Sequence, residues 1–191
     1  MTTNIEDWSG VYLIVYEGED AAVAFNGALE TLDVASNNIS VTINNGVIAS
    51  DDATIAASVT IEAMDGGFSI KTSSDKYLNH TGTNNTLNPS ETPVAHTISI
   101  DDDGYAVIAV DENYHIRYNA TNGQERFRYY KTAANVHLYK KGEEYAVGVE
   151  NINAEYQVLD LNAPMYNIVG QRVDASYKGI VIQNGQKYLL R

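Results

Sequence analysis

Apolar and polar residues alternate along most of this chain, and one alternating pattern returns three times. The first copy reads Gly10-Val11-Tyr12-Leu13-Ile14-Val15, followed by Val23-Ala24-Phe25-Asn26. The second reads Gly67-Phe68-Ser69-Ile70-Lys71-Thr72, followed by Leu78-Asn79-His80-Thr81. The third reads Gly104-Tyr105-Ala106-Val107-Ile108-Ala109, followed by Ile116-Arg117-Tyr118-Asn119. A period of two is the signature of half-buried strands. A repeat of a few strands cannot bury its apolar face alone, so the copies must share one core.

Each copy closes on a further alternating segment, at residues 58–63, 95–100 and 135–140. The first copy is longer by about one hairpin. Residues 38–43 alternate and run into Asn44-Asn45-Gly46, whose Asn and Gly tolerate positive φ and so predict a tight turn, with Val47-Ile48-Ala49 as the return strand. Asp65-Gly66 and Asp103-Gly104 fall where the second and third copies begin. About four strands per copy predict an all-β chain, a pseudo-threefold β-trefoil over residues 8–141. A β-sandwich or an irregular barrel is the alternative, since both also use short, regularly spaced strands. Phe25, His80 and Tyr118 are expected at equivalent, inward-facing places in the three copies.

Beyond Lys141 the pattern changes. Residues 142–160 read as a linker with one short strand, Ala146-Val147-Gly148-Val149. Residues 161–191 read as a small β-hairpin module of three short strands, with a turn at Asn184-Gly185. A unit of this size is too small to hold a core by itself. Its run Tyr166-Asn167, Gly170-Gln171-Arg172-Val173, Lys178-Gly179-Ile180, Ile182 and Asn184-Gly185, Lys187 resembles the C-terminal segment of exported proteins of the Bacteroides and Prevotella type. It looks like a shortened relative of the type IX secretion sorting domain.

The repeat region carries a second resemblance. Trp8-Ser9-Gly10-Val11-Tyr12-Leu13-Ile14-Val15-Tyr16-Glu17, Val23-Ala24-Phe25-Asn26-Gly27 and Arg126-Phe127-Arg128-Tyr129-Tyr130 resemble a module found beside catalytic domains in secreted proteins of those bacteria. The pattern is also similar to ricin-type and fascin-like trefoils, with Lys76-Tyr77-Leu78 as the recurring inner strand. It departs from the ricin type in lacking the recurring Gln-x-Trp, because Trp8 is its one tryptophan. The resemblances imply a secreted or cell-surface bacterial protein.

Composition narrows the classes. The net charge is −13, from 12 basic and 25 acidic residues among 191, which sets long-range repulsion against nucleic acid and anionic membranes. Only a local basic patch at Arg117, Arg126 and Arg128 runs against that balance. No apolar run approaches the roughly 20 residues that span a bilayer, so membrane insertion is not expected. The opening residues lack the basic start and apolar middle of a signal peptide. With no cysteine, disulfides and thiolate metal sites are excluded.

No catalytic motif is present: no His-Glu-x-x-His, Gly-x-Ser-x-Gly, phosphate loop or dinucleotide fingerprint. His80, His96, His115 and His137 read as structural. Asp101-Asp102-Asp103-Gly104 reads as a solvated turn, because a calcium loop of the EF-hand type needs glycine where Ala106 stands. No cofactor or metal is expected.

The aromatic inventory carries the functional signal, with 14 tyrosines against three phenylalanines. Tyrosine offers an apolar face and a hydroxyl, which suits sugar rings and peptides. In Arg126-Phe127-Arg128-Tyr129-Tyr130 alternation sets Phe127 and Tyr129 on one face and the arginines and Tyr130 on the other. The candidate ligand-binding residues are therefore Tyr114, Arg117, Asn119, Arg126, Arg128, Tyr130 and His80. The expected function is a non-catalytic module binding a carbohydrate. The alternative is a protein-interaction or protease-inhibitor module whose partner, a surface protein, is held by the loop at residues 44–57.

Overall fold

The computed structural model describes residues 3–19, 21–142, 163–174, 176–183 and 186–190. Most of the expected linker, including Ala146–Val149, and the turn at Asn184-Gly185 lie outside the described residues. The chain divides into two compact units, Met1–Glu143 and Glu144–Arg191. Among the described residues no helix is long and apolar enough to cross a membrane.

The protein is all-β, built from several antiparallel sheets, none of which closes into a barrel. The first copy holds β1 (Gly10–Glu17), β2 (Ala22–Phe25), β3 (Asn38–Val41), a small hairpin of β4 (Ile43–Asn44) and β5 (Val47–Ile48), helix α1 (Asp52–Ala57) and β6 (Val59–Met64). The second holds β7 (Gly67–Thr72), β8 (Tyr77–Asn79), β9 (Asn88–Ser90) and β10 (Thr97–Ile100). The third holds β11 (Ala106–Ala109), β12 (His115–Asn119), β13 (Arg126–Tyr130) and β14 (His137–Lys140). One sheet runs β3-β2-β1-β6-β7-β8-β9, with β14 also on β1, and a second runs β10-β11-β12-β13.

The register of these pairings recurs. Each opening strand meets the closing strand that precedes it in the repeat at an apolar pair: Ile14 with Leu138, Ile70 with Ile61, Ile108 with Ile98. Two residues earlier it meets its own copy's closing segment: Tyr12 with Val59, Phe68 with His96, Ala106 with Val136. One residue later it meets its own second strand: Val15 with Ala24, Lys71 with Tyr77, Ala109 with His115. This register corrects one expectation. The residues equivalent to Phe25 are Leu78 and Ile116, and all three are buried. Tyr118 corresponds instead to Gly27, because Gly27 N–H donates to Ala57 O as Tyr118 N–H donates to Ala134 O. The slip arises in the longer β1–β2 turn, which alternation alone does not measure.

The core of this unit is continuous. Trp8, Tyr12, Ile14, Phe25, Ile61, Ile70, Leu78, Ile108, Ile116, Phe127, Val136 and Leu138 are all buried within it. The extra length of the first copy is not a hairpin alone. Asn45 and Gly46 (φ 52° and 76°) join β4 to β5 in a two-residue turn, but α1 follows. Asp51 caps that helix: its Oδ1 accepts from Thr54 N–H at 2.7 Å while Thr54 Oγ1 accepts from Asp51 N–H at 2.8 Å.

The second unit forms a four-stranded sheet, one strand more than expected. Its order is β16-β15-β17-β18, from β15 (Met165–Asn167), β16 (Arg172–Val173), β17 (Gly179–Gln183) and β18 (Gln186–Leu190). Asn167 explains its own place in the motif: its Oδ1 accepts from Val169 N–H and Gln171 N–H, closing a turn in which Gly170 takes φ 82°.

Candidate functional site

The third copy presents a hairpin, β12 on β13, whose two faces differ in chemistry. Pairing sets Tyr118 opposite Phe127 and Ile116 opposite Tyr129 on the core face. It sets Arg117 opposite Arg128, Asn119 opposite Arg126 and His115 opposite Tyr130 on the outer face. Residues from both other copies secure this hairpin. Asn37 is fully buried; its Nδ2 donates to Leu32 O at 2.7 Å and Phe127 O at 2.9 Å, and its Oδ1 accepts from Phe127 N–H at 2.8 Å. From the second copy, Thr86 O accepts from Tyr129 N–H at 3.2 Å and Asn85 O from Arg128 Nη1 at 3.2 Å.

A cleft of about 470 Å³ opens at the end of this hairpin. Tyr118 and Tyr130, both nearly buried, are among the residues that line it. Asn85, Asn119, Thr121 and Thr132 supply amides and hydroxyls around it, and Ala133 and Ala134 form a wall. The Tyr118 ring is fixed from behind by stacking on Tyr16 at 4.5 Å between centroids. Asn119 Oδ1 accepts from Thr121 N–H at 2.9 Å, which holds the rim turn. No Lys, Arg, Asp or Glu lines the cleft. The volume falls within the range of about 300–1,000 Å³ common to small-ligand sites.

The expected site residues divide into three groups. Tyr130 and Asn119 belong to the cleft. Arg117, Arg126 and Arg128 share the outer face beside it and already hold neighbours. Arg117 Nη1 donates to Ala133 O at 3.3 Å and to Asn135 Oδ1, Arg126 donates to Gln124, and Arg128 is ion-paired with Asp33. Tyr114 is a correction to the surface reading, and His80 is buried beside it. Tyr114 is 4% exposed and His80 8%, their rings stack at 4.0 Å, and Tyr114 donates its hydroxyl proton to Thr83 O. His80 Nε2 donates to Asn84 O at 2.9 Å. The pair braces the 83–86 loop and has no open ring face to offer a sugar, since Lys131 Nζ also lies 5.1 Å from the Tyr114 centroid.

Sequence reasoning missed Asn85, Thr121 and Thr132. They come from three separate loops, and only the strand register brings them together. His115, on the outer face, is held less basic than usual by burial and then by the positive charge of Arg117. Among the described residues no group of three or more His, Cys, Asp or Glu is placed to hold a metal ion. Asp101 uses its carboxylate on the N–H groups of Asp103 and Tyr105. No protein-family model matches the chain, and no curated protein or solved structure matches it either.

Proposed function

We propose that residues 8–141 form a pseudo-threefold β-trefoil, and that this trefoil is a non-catalytic module that binds a carbohydrate in the cleft of its third copy. The recurring register supports the fold reading. Strand pairing runs in the order β1-β6-β7-β10-β11-β14 and back to β1, two of the joints being only the isolated bridges Phe68–His96 and Ala106–Val136, so the succession stops short of a closed barrel. The hairpins β2–β3, β8–β9 and β12–β13 then stand as three related outer pairs.

The observation that carries the functional reading is the lining of the cleft. Two tyrosines, two amides and two threonine hydroxyls among its lining residues fit the hydrogen-bonding groups of a hydroxyl-rich ring. The lining holds no carboxylate pair for acid–base cleavage. The tail motif fits an exported or cell-surface protein.

The test is a glycan-array screen of the full chain beside Asn85→Ala and Thr132→Ala, both exposed rim positions whose truncation spares the core. Specific binding that weakens about tenfold in each variant is the expected result, one rim hydrogen bond being worth about 1 kcal/mol or somewhat more. Binding that both variants leave unchanged would remove the cleft from the account, and a blank array would remove the carbohydrate.

A further inference from the structure

Three of the chain's 12 basic residues crowd the outer face of β12–β13, in a protein of net charge −13. Arg117 and Arg128 stand directly opposite each other, an arrangement that like charges disfavour. Asp33 offsets only Arg128. Among the described residues Arg117 and Arg126 have no carboxylate at ion-pair distance; their partners are the neutral oxygens of Ala133, Asn135 and Gln124, with Arg117 Nη2 also 3.4 Å from His115 Nδ1. The Nε of each is buried without a hydrogen-bond partner, which is costly for a cation. This face adjoins the cleft. Asn119 belongs to both, and the carbonyl that Arg117 holds belongs to Ala133 in the cleft wall.

We infer that the guanidinium groups of Arg117 and Arg126 select a carboxylate-bearing sugar, a uronic acid residue, whose neutral ring atoms lie in the adjoining cleft. This rests on the carbohydrate reading above. A planar guanidinium presents paired N–H donors that match the two oxygens of a carboxylate. An anion there would relieve the Arg117–Arg128 repulsion.

The experiment is calorimetric titration of the full chain with a short oligogalacturonide and with its carboxyl-reduced counterpart, for the native protein and for Arg117→Gln, Arg117→Lys and Arg126→Gln. The acidic sugar is expected to bind about tenfold more tightly than the reduced one. Arg117→Gln and Arg126→Gln lose that preference and keep the affinity for the reduced sugar, and Arg117→Lys recovers part of it. Should Arg117→Gln fail to fold by its melting curve, Arg126→Gln carries the same reading. Equal binding of both sugars by the native protein, or a preference that survives both glutamine variants, overturns the uronate inference and leaves the carbohydrate reading standing. No binding of either sugar, together with a blank glycan array, overturns both.

Discussion

His96 occupies a place that Val59 and Val136 fill in the other two copies, since each pairs with the residue two places before Ile14, Ile70 or Ile108. It is 1% exposed. Its Nδ1 faces the carbonyl oxygens of Val94 at 2.9 Å and Phe68 at 3.3 Å, so Nδ1 carries the proton. Nε2 then accepts from the Tyr129 hydroxyl at 2.5 Å. Burial holds His96 neutral by pushing its pKa below the usual 6.5, and burial pushes the Tyr129 hydroxyl well up. The unfolded chain therefore takes up protons that the folded chain refuses. Stability from this group is complete well above pH 6.5 and is lost as pH falls below 6.5 toward the lower pKa of the folded state. Urea unfolding between pH 7.5 and 5 should show a falling midpoint, to which half-buried His115, shifted the same way, adds. The acidic side chains with lowered pKa values, Asp7, Asp51, Asp75, Asp111 and Asp174, act only below about pH 4, outside that window. A midpoint flat across it would contradict the neutral assignment. Replacing His96 alone by valine orphans the Tyr129 hydroxyl and should cost about 1–3 kcal/mol. His96→Val with Tyr129→Phe should recover about 1 kcal/mol of that and flatten the pH dependence. Simple additivity in the double-mutant cycle would show the pair is uncoupled.

At the scale of elements, alternation located the strands better than it located what joins them. The opening and closing strands of each copy were legible because inward positions of one period are apolar. Helix α1 was not, since six residues are too few to display a helical period, although Asp51 and Thr54 hold its capping box. Strand β9 was hidden by Pro89. The surface reading failed at Tyr114 because alternation says which face a residue takes, not whether a neighbouring loop covers that face. The helix also explains Gly27. A Cβ there would lie 2.8 Å from Ser58 O and 2.9 Å from Ala57 O, the carbonyls where α1 ends, whereas Tyr118 fits the equivalent place in a copy without that helix. Gly27→Ala should therefore lower stability by about 1–3 kcal/mol through backbone displacement. Gly142→Ala, with nothing near its Cβ, is the control. Equal melting temperatures for the two variants would mean that the β2 end and the α1 end do not approach as closely as described.

Across the whole repeat unit, three copies with different sequences share one core, and the cleft described above belongs mainly to the third. The first copy spends its corresponding hairpin on an internal tie, with Asn37 reaching the Phe127 backbone. The second supplies the 83–86 loop that both braces β13 and lends Asn85 to the rim. A repeat legible as threefold thus gives an asymmetric site, and that asymmetry lies in loops, where no periodicity reports it. It also separates this protein's long-range field from its local one: the net charge repels anions at a distance, whereas the third copy alone presents uncompensated arginines. The most direct test of the account is amide chemical-shift mapping of the full chain during titration with the best-binding glycan of the array. Shifts concentrated at Asn85, at residues 118–121 and at residues 132–134 are the predicted result. Shifts that gather instead at β4, β5 and α1, or that spread over all three copies alike, would contradict a single carbohydrate site in the third.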